Sequence, residues 1–250
     1  MQILGKGNEQ IHSLSGGTLL LSPHCDDIAF ALGGHLLGRA FPPPVTVVTV
    51  FTKSNYTLSQ RFSGSADVVT VKRKREEKQF LESVGAGWID CDLPEASLRG
   101  YQTHRELFGG VKTYDPIHQE LEAALVDVTS RMSEVLIGLP SGLGNHADHI
   151  IVRDVARSQL SRLRVQLLFY EELPYAARYK GAEIEEIVHT IVPGAVPRLF
   201  DISSLMGSKV KALSAYSSQV GTEEIEAVVR YATSLCDHGG ATSFERVWVT

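Results

Sequence analysis

The chain has 250 residues, of which 43% are hydrophobic and 21% charged, and its formal net charge is -5. These proportions are typical of a globular protein with a sizeable core, and the length favours one domain over 1–250. The acidic balance provides no basic face for nucleic acid, and no apolar stretch approaches the roughly 20 residues that a membrane span needs.

Cysteine usage and the first residues indicate the compartment. Three cysteines, odd in number and widely spaced, argue against a disulfide framework. No basic region followed by a long apolar one opens the sequence, so we expect no signal peptide. We therefore expect a cytoplasmic protein with reduced thiols and neither a nucleic-acid nor a membrane partner.

Short apolar runs alternate with longer segments of helical character along the chain. Residues 1–17 are polar and glycine-rich, and we expect a loose arm or an edge element there. The predicted strands are 19–21, 45–51, 88–93, 135–140, 165–170, 184–192 and 244–249. The predicted helices are 29–39, 68–84, 116–131, 150–160, 202–216 and 223–235.

This alternation predicts an α/β fold with a mostly parallel central sheet and helices on both faces. The polar and aromatic segment 53–67 is too long for a tight turn and is a candidate substrate loop, and 94–115 is a long irregular connection. The turn after the first strand lacks G-x-G-x-x-G, and no phosphate-binding P-loop pattern occurs. A dinucleotide cofactor is therefore not expected.

Two clusters of histidine and aspartate each follow a predicted strand and open a predicted helix. They are His24, Asp26 and Asp27, and then His146, Asp148 and His149. The carboxyl ends of strands are where open α/β sheets bind ligands. Any one of these residues is readily explained as a helix cap. Two clusters of this kind at two strand ends together predict a metal site.

The spacing suggests which residues bind the ion. His24 and Asp27, three apart across a turn, can converge on one ion, and His149 can join them if the strands at 19–21 and 135–140 are neighbours. A catalytic zinc ion typically keeps three protein ligands and an open position. Zinc, ferrous iron and related divalent ions all suit two histidines and a carboxylate.

The other members of the clusters suit catalytic roles. Asp26 is free to act as the general base on a water that the ion activates. His146 is placed to stabilise a developing oxyanion, and Asp148 to orient one of the imidazoles. Further along, Glu172 and Tyr175 follow a strand end and are expected at the rim of the site, where they are candidate substrate contacts.

Two segments resemble the signatures of a known family. Residues 22–27 (Ser-Pro-His-Cys-Asp-Asp) resemble the P-H-P-D-D signature of the PIG-L (LmbE-like) family of metal-dependent N-deacetylases. Residues 144–149 (Gly-Asn-His-Ala-Asp-His) are similar to its second signature, H-P-D-H. Further similarities are an R-x-x-E helix over 73–85, a Y-E-[ED]-x-P-Y segment over 169–175 and a late helix over 211–219.

The resemblance implies a Rossmann-like three-layer α/β sandwich that hydrolyses an N-acyl group, usually acetyl, on an amino sugar or glycoside with the help of zinc or another divalent ion. The roles it implies are metal ligands His24, Asp27 and His149, general base Asp26, oxyanion stabiliser His146 and substrate contact Arg73. Cys25 replaces a proline of the first signature and Ile28 an acidic residue after it. Two alternatives remain open, an amidase acting on a thiol-sugar conjugate and a catalytically silent sugar-binding module.

Overall fold

Eight strands of the described residues form one sheet. The computed structural model describes residues 2–3, 16–59, 64–129, 136–161, 165–235 and 242–250. The strands are β1 (Gln2–Ile3), β2 (Thr18–Ser22), β3 (Val45–Lys53), β4 (Gly87–Pro94), β5 (Leu136–Pro140), β6 (Gln166–Tyr170), β7 (Val196–Asp201) and β8 (Phe244–Val249). Their order is β1-β7-β8-β6-β5-β2-β3-β4. β8 runs antiparallel to β6 and β7 and the other pairs are parallel, which confirms a mostly parallel sheet.

Helices pack around this sheet and complete the α/β sandwich. They are α1 (Asp27–Leu37), α2 (Ala66–Val84), α3 (His104–Leu107), α4 (Ile117–Thr129), α5 (Ala147–Leu160), α6 (Gly181–Ile191), α7 (Met206–Leu213) and α8 (Thr222–Ser234). Within the described part of the chain, none of them is both long and apolar enough to cross a membrane.

The position of β2 in the sheet brings the two His/Asp clusters together. β2 pairs with β3 on one side and with β5 on the other, both parallel. From β2 the chain continues to β3 and β4 and then returns to β5, so the direction of winding reverses between β2 and β5. A reversal of this kind opens a crevice at the carboxyl ends of the strands. Both clusters follow strands that border this crevice, as their predicted neighbourhood requires.

One predicted strand near the C-terminus is wrong, and one observed strand is missing from the prediction. The predicted edge strand 184–192 belongs to helix α6, where Ile184 and Val188 are buried one helical turn apart. Its β-branched residues suggest a strand, but their spacing of three and four buries one helical face. The strand is instead β7, which the sequence hides because Pro197 interrupts the run. The start of the predicted arm forms β1, while 4–15 lies outside the described residues.

A buried ion pair joins α7 to β8. The Nζ atom of Lys209 lies 2.7 Å from Glu245 Oε1, and both side chains are almost completely buried. The other oxygen of Glu245 contacts His35 through its backbone N–H and its ring at 2.8 and 2.6 Å. Burial alone would raise the pKa of Glu245, but the charge of Lys209 and the hydrogen bond with His35 outweigh it and lower the pKa to about 2.

Replacing Lys209 by Met should lower the free energy of unfolding by about 3–5 kcal/mol, because a buried carboxylate loses its partner. Folding lowers the pKa of Glu245 from its ordinary value of 4.5, so the ionised carboxylate stabilises the fold at pH values above 4.5. This stabilisation is lost as the pH falls towards about 2. The difference between the wild type and Lys209→Met should therefore narrow as the pH falls through that window. Urea unfolding at several pH values measures both effects.

Lys211→Met is the matched control, because Lys211 is exposed on the same helix. Its free energy of unfolding should stay within about 0.5 kcal/mol of the wild type. Equal losses in the two variants would contradict a special role for the Lys209–Glu245 pair.

Candidate active site

The turn between β2 and α1 carries the first His/Asp cluster. Asp26 precedes the helix with a φ of 133°, a strained conformation for a residue other than glycine. Ser22 Oγ donates to the carbonyl of His24 at 2.6 Å, and the backbone N–H of His24 donates to Asp27 Oδ2 at 2.7 Å. These local hydrogen bonds hold the strained turn in place.

The turn between β5 and α5 carries the second cluster. Gly144 and Asn145 have φ values of 88° and 60°, and a Cβ atom on Gly144 would lie 2.7 Å from the Cβ of Tyr175. Glycine is therefore required at 144 by both its backbone and its neighbour. His146 caps α5, because its Nδ1 accepts a hydrogen bond from the backbone N–H of Asp148 at 3.2 Å.

Two imidazole nitrogens and the two carboxylate oxygens of Asp27 lie at the spacing of metal ligands. His24 Nδ1 is 3.3 Å from Asp27 Oδ2, His149 Nε2 is 3.4 Å from Asp27 Oδ1, and the two nitrogens are 3.3 Å apart. A tetrahedral zinc ion with bonds of about 2.0–2.1 Å keeps its ligand atoms roughly 3.3–3.4 Å apart. Two imidazoles and one carboxylate thus meet at distances that fit such an ion.

His146 offers a second, overlapping set of ligands. Ligand atoms of His24, His146 and His149 all lie within 4.8 Å of one another. Burial and the positive charge of His24 lower the pKa of His146 well below its usual range, so this ring is neutral. Because its Nδ1 accepts a hydrogen bond, its single proton is assigned to Nε2. A protonated nitrogen donates rather than ligates, so chemistry favours the set that contains Asp27.

His149 is completely buried, and its Nδ1 has no hydrogen-bond partner within the described part of the chain. The nearest carboxylate oxygen is Oε1 of Glu172, 3.4 Å away. Glu172 itself is buried and accepts from Ser141 Oγ at 2.6 Å and from the backbone N–H of Gly142 at 2.5 Å. Glu172 therefore lies below the site and not at its predicted place on the rim, and its oxygens are occupied by these hydrogen bonds.

Asp26 lies beside a buried arginine at the edge of the site. Arg73 Nη2 is 3.9 Å from Asp26 Oδ1, and Arg73 Nη1 donates to Glu95 Oε2 at 2.9 Å and to Ser54 Oγ at 2.7 Å. Burial raises the pKa of Asp26 well above its ordinary value, although the charge of Arg73 opposes this. Asp26 thus stands outside the ligand triangle as a carboxylate of raised basicity.

The second ring nitrogen of His24 contacts Asp148. His24 Nε2 is 2.9 Å from Asp148 Oδ2, and the other oxygen of Asp148 is 2.8 Å from Arg99 Nη2. Burial alone would lower the pKa of His24, but the hydrogen bonds with Asp148 and Asp27 outweigh it and raise the pKa to about 10. A cation that binds Nδ1 must therefore displace a proton.

A cavity of about 240 Å³ opens over these groups. Phe108, Tyr175 and His146 form one wall. The centroid of the Phe108 ring lies 5.3 Å from that of the Tyr175 ring and 5.1 Å from that of the His146 ring. The predicted substrate loop contributes Tyr56 and Leu58. Gln219, Arg178 and Glu224 line the cavity further along the chain. The expected place of Tyr175 at the rim agrees with this lining.

In the predicted irregular connection 94–115, the sequence carries no signal for the roles of Glu95 and Phe108, and it suggests for Arg99 a surface position or a contact with an anionic substituent. Glu95 pairs with Arg73, Phe108 lines the cavity and Arg99 contacts Asp148. Arg99 reads as a surface residue in the sequence, yet its side chain is only 5% exposed. The one available signal is the density of charged and aromatic residues in a segment whose sequence has no clean hydrophobic period.

The two departures from the family signature lie beneath the site rather than in the cavity. Cys25 and Ile28 are each 1% exposed, and neither lines the cavity. Burial raises the pKa of the Cys25 thiol well above its ordinary value, so the thiol is neutral and acts as a small apolar side chain. Neither substitution removes a polar group from the ligand triangle.

The part of the chain that carries both His/Asp clusters is similar to proteins of a known family. The family model described as GlcNAc-PI de-N-acetylase (PIG-L) matches residues 19–160. The 2'-N-acetylparomamine deacetylase of Streptomyces fradiae is 31% identical over 93% of this chain and 89% of its own length.

Solved structures share the fold. The zinc-inhibited form of the teicoplanin deacetylase Orf2 superposes with a TM-score of 0.70 at 21% identity, over 93% of this chain and 97% of its own. The N,N'-diacetylchitobiose deacetylase of Pyrococcus horikoshii gives a TM-score of 0.61 at 16% identity, over 94% and 84%.

Proposed function

The chain belongs to the GlcNAc-PI de-N-acetylase (PIG-L) family, and from that membership we propose that it is a metal-dependent N-deacetylase of an amino sugar or amino glycoside. The observation that carries the proposal is the convergence of the side chains of His24, Asp27 and His149, with Asp26 beside them. A cap on a helix needs no such convergence of two distant turns.

His24, Asp27 and His149 are the residues that would hold the ion, zinc or another divalent ion such as ferrous iron. When bound, such an ion supplies Lewis acidity, which polarises the amide carbonyl and acidifies water. The anionic Asp27 favours a cation at this place, because its oxygens lie 3.3 Å from His24 Nδ1 and 3.4 Å from His149 Nε2. Burial alone would raise the pKa of Asp27, but the charge of His149 and the contacts with His24 outweigh it and hold the pKa well below its usual range.

Asp26 acts as the general base. Its carboxylate is available for this role because it is not one of the metal ligands. It takes a proton from the attacking water and later returns one to the leaving amine. Its raised pKa makes it a stronger base than an exposed aspartate. Arg73 at 3.9 Å limits that rise and keeps the carboxylate oriented.

His146 donates to the oxygen of the amide carbonyl as negative charge develops there. The proton on its Nε2 is available because Nδ1 is occupied by the backbone of Asp148. A neutral imidazole serves this role without having to become an imidazolium. Asp148 is a positioning group, because it contacts His24 from behind.

The cavity suits a sugar ring with polar substituents. Phe108 and Tyr175 provide an aromatic wall for the apolar face of a sugar ring. Gln219 and Glu224 line the same cavity and provide polar groups. The paromamine and chitobiose substrates named for the relatives carry the acetamide on such a ring. An amide between a sugar amine and a thiol-bearing acyl group remains the alternative substrate class.

We further propose that the whole chain, 1–250, is one domain that works in the cytoplasm without a nucleic-acid partner. Cys25 and Cys91 are free thiols in the structure, as is usual in reducing compartments.

Release of free amine from acetylated substrates tests the function. Zinc-loaded protein is incubated with N-acetylglucosamine, an N-acetylated aminoglycoside and a thiol-sugar amide, with and without a chelator. We expect release from an acetylated sugar that the chelator abolishes and added zinc restores. Binding of these compounds without any release would instead identify a silent binding module.

A further inference from the structure

Arg99 is a buried arginine behind His24 that does not line the cavity. It ends the short 3₁₀ helix Ala96–Arg99. Its Nε and Nη2 donate to the two oxygens of Asp115 at 3.1 and 2.9 Å, and its Nη1 donates to the carbonyl of Pro94 at 2.7 Å. Nη2 is also 2.8 Å from Asp148 Oδ1, an ion pair without hydrogen-bond geometry.

Asp148 connects this guanidinium to His24. Its Oδ2 accepts the backbone N–H of Ala96 at 2.8 Å and lies 2.9 Å from His24 Nε2, and its side chain is completely buried. A guanidinium stays charged in proteins, so the carboxylate beside it is ionised and only accepts. The proton in the contact with His24 therefore resides on Nε2. Because that nitrogen is held, the ring presents its Nδ1 to Asp27 and His149.

We propose that Arg99 is a positioning residue that acts through Asp148 to fix the Nε2 proton and the ring orientation of His24. Asp115 holds the guanidinium from its other side. The inference rests on the proposed metal-dependent function and extends it to a residue that contacts neither ligand set nor cavity. Partners that orient a metal-binding histidine typically change metal affinity by about 10–100-fold.

The surroundings of Arg99 select arginine rather than lysine. Its Cζ lies 4.8 Å from the centre of the Phe51 ring and 5.8 Å from that of Tyr101. The hydroxyl of Tyr101 also donates to Asp115 Oδ2 at 3.0 Å, which fixes the carboxylate that accepts both hydrogen bonds from Arg99. A lysine keeps the charge but has neither the planar fork nor the stacking surface.

Zinc affinity and an imidazole proton signal test the proposal without measuring catalysis. Metal-free wild type, Arg99→Met and Arg99→Lys are titrated with zinc against a competing chelator, and the His24 Nε2–H is observed by ¹⁵N-edited NMR. We expect a slowly exchanging signal in the wild type. Arg99→Met should lose this signal and bind zinc about 10–100-fold more weakly, with Arg99→Lys intermediate.

Arg246→Met is the matched control, because Arg246 is also buried and pairs with a carboxylate, Glu171, at 2.6 Å outside the cavity. It should lower the melting temperature while keeping the wild-type zinc affinity and the His24 signal. If Arg99→Met matches this control in both readouts, the proposal is overturned. Should Arg99→Met not fold, the same comparison is made with Arg99→Lys. A wild type that binds no zinc contradicts the proposed function, and the His24 signal then decides on Arg99 alone.

Discussion

Replacing Asp26 by Asn should lower kcat for deacetylation by about 10²–10⁴-fold, or roughly 3–5 kcal/mol of barrier, with the zinc content unchanged. The amide has the size of the carboxylate but cannot take a proton from water. Zinc should remain because Asp26 lies outside the triangle formed by His24, Asp27 and His149. Steady-state kinetics and metal analysis of the same preparation measure the two quantities.

The backbone at Asp26 makes this variant easy to interpret. Its φ is 133°, and asparagine tolerates positive φ better than most residues, so the turn should persist. Asp92→Asn is the matched control, since Asp92 also has a positive φ, of 53°, but is exposed and does not line the cavity. We expect its kcat to stay near the wild type. A comparable loss in both variants, or none in Asp26→Asn, would remove Asp26 from the mechanism.

Replacing His149 by Ala should remove the bound zinc and abolish all chelator-sensitive amine release. His149 supplies Nε2 at 3.3 Å from His24 Nδ1 and 3.4 Å from Asp27 Oδ1, and no other described imidazole reaches that position as closely. Two remaining ligands bind a divalent ion far more weakly than three. Metal analysis after dialysis against a weak chelator, with circular dichroism to verify folding, provides the measurement.

A pair of further variants separates the two overlapping ligand sets. Asp27→Ala should lose zinc as His149→Ala does. His146→Ala should keep zinc and lower kcat by about 10²–10³-fold, the loss typical of a missing oxyanion donor. The reverse pattern, zinc retained in Asp27→Ala and lost in His146→Ala, would identify the three imidazoles as the ligands.

Much of this site follows from the sequence because its parts are local. His24, Asp26 and Asp27 occupy one turn, and His146, Asp148 and His149 another, so each cluster is recognisable by spacing alone. The continuous apolar runs that form β2 and β5 predict strands, and both turns follow the ends of these strands. The alternation of elements then predicts a mostly parallel sheet, which the structure confirms, with β8 as the antiparallel strand.

Longer-range contacts decided what local spacing could not. Glu172 follows a strand end as expected, but the direction of its side chain depends on the backbone of 141–143, which it caps from below. Arg73 is buried because Glu95 and Ser54 converge on it from other elements. Sequence spacing carries no information about partners this far apart along the chain.

The chemistry of the two turns and the class of the sheet can be predicted from the amino-acid sequence, since both depend on neighbouring residues and on periodicity. The distances between the candidate ligand atoms, the burial of the Arg99 side chain and the aromatic wall at Phe108 are properties of the packed fold. Their physical reason is shared: each requires segments separated by tens of residues to pack together, and the free energy of that packing belongs to the whole fold.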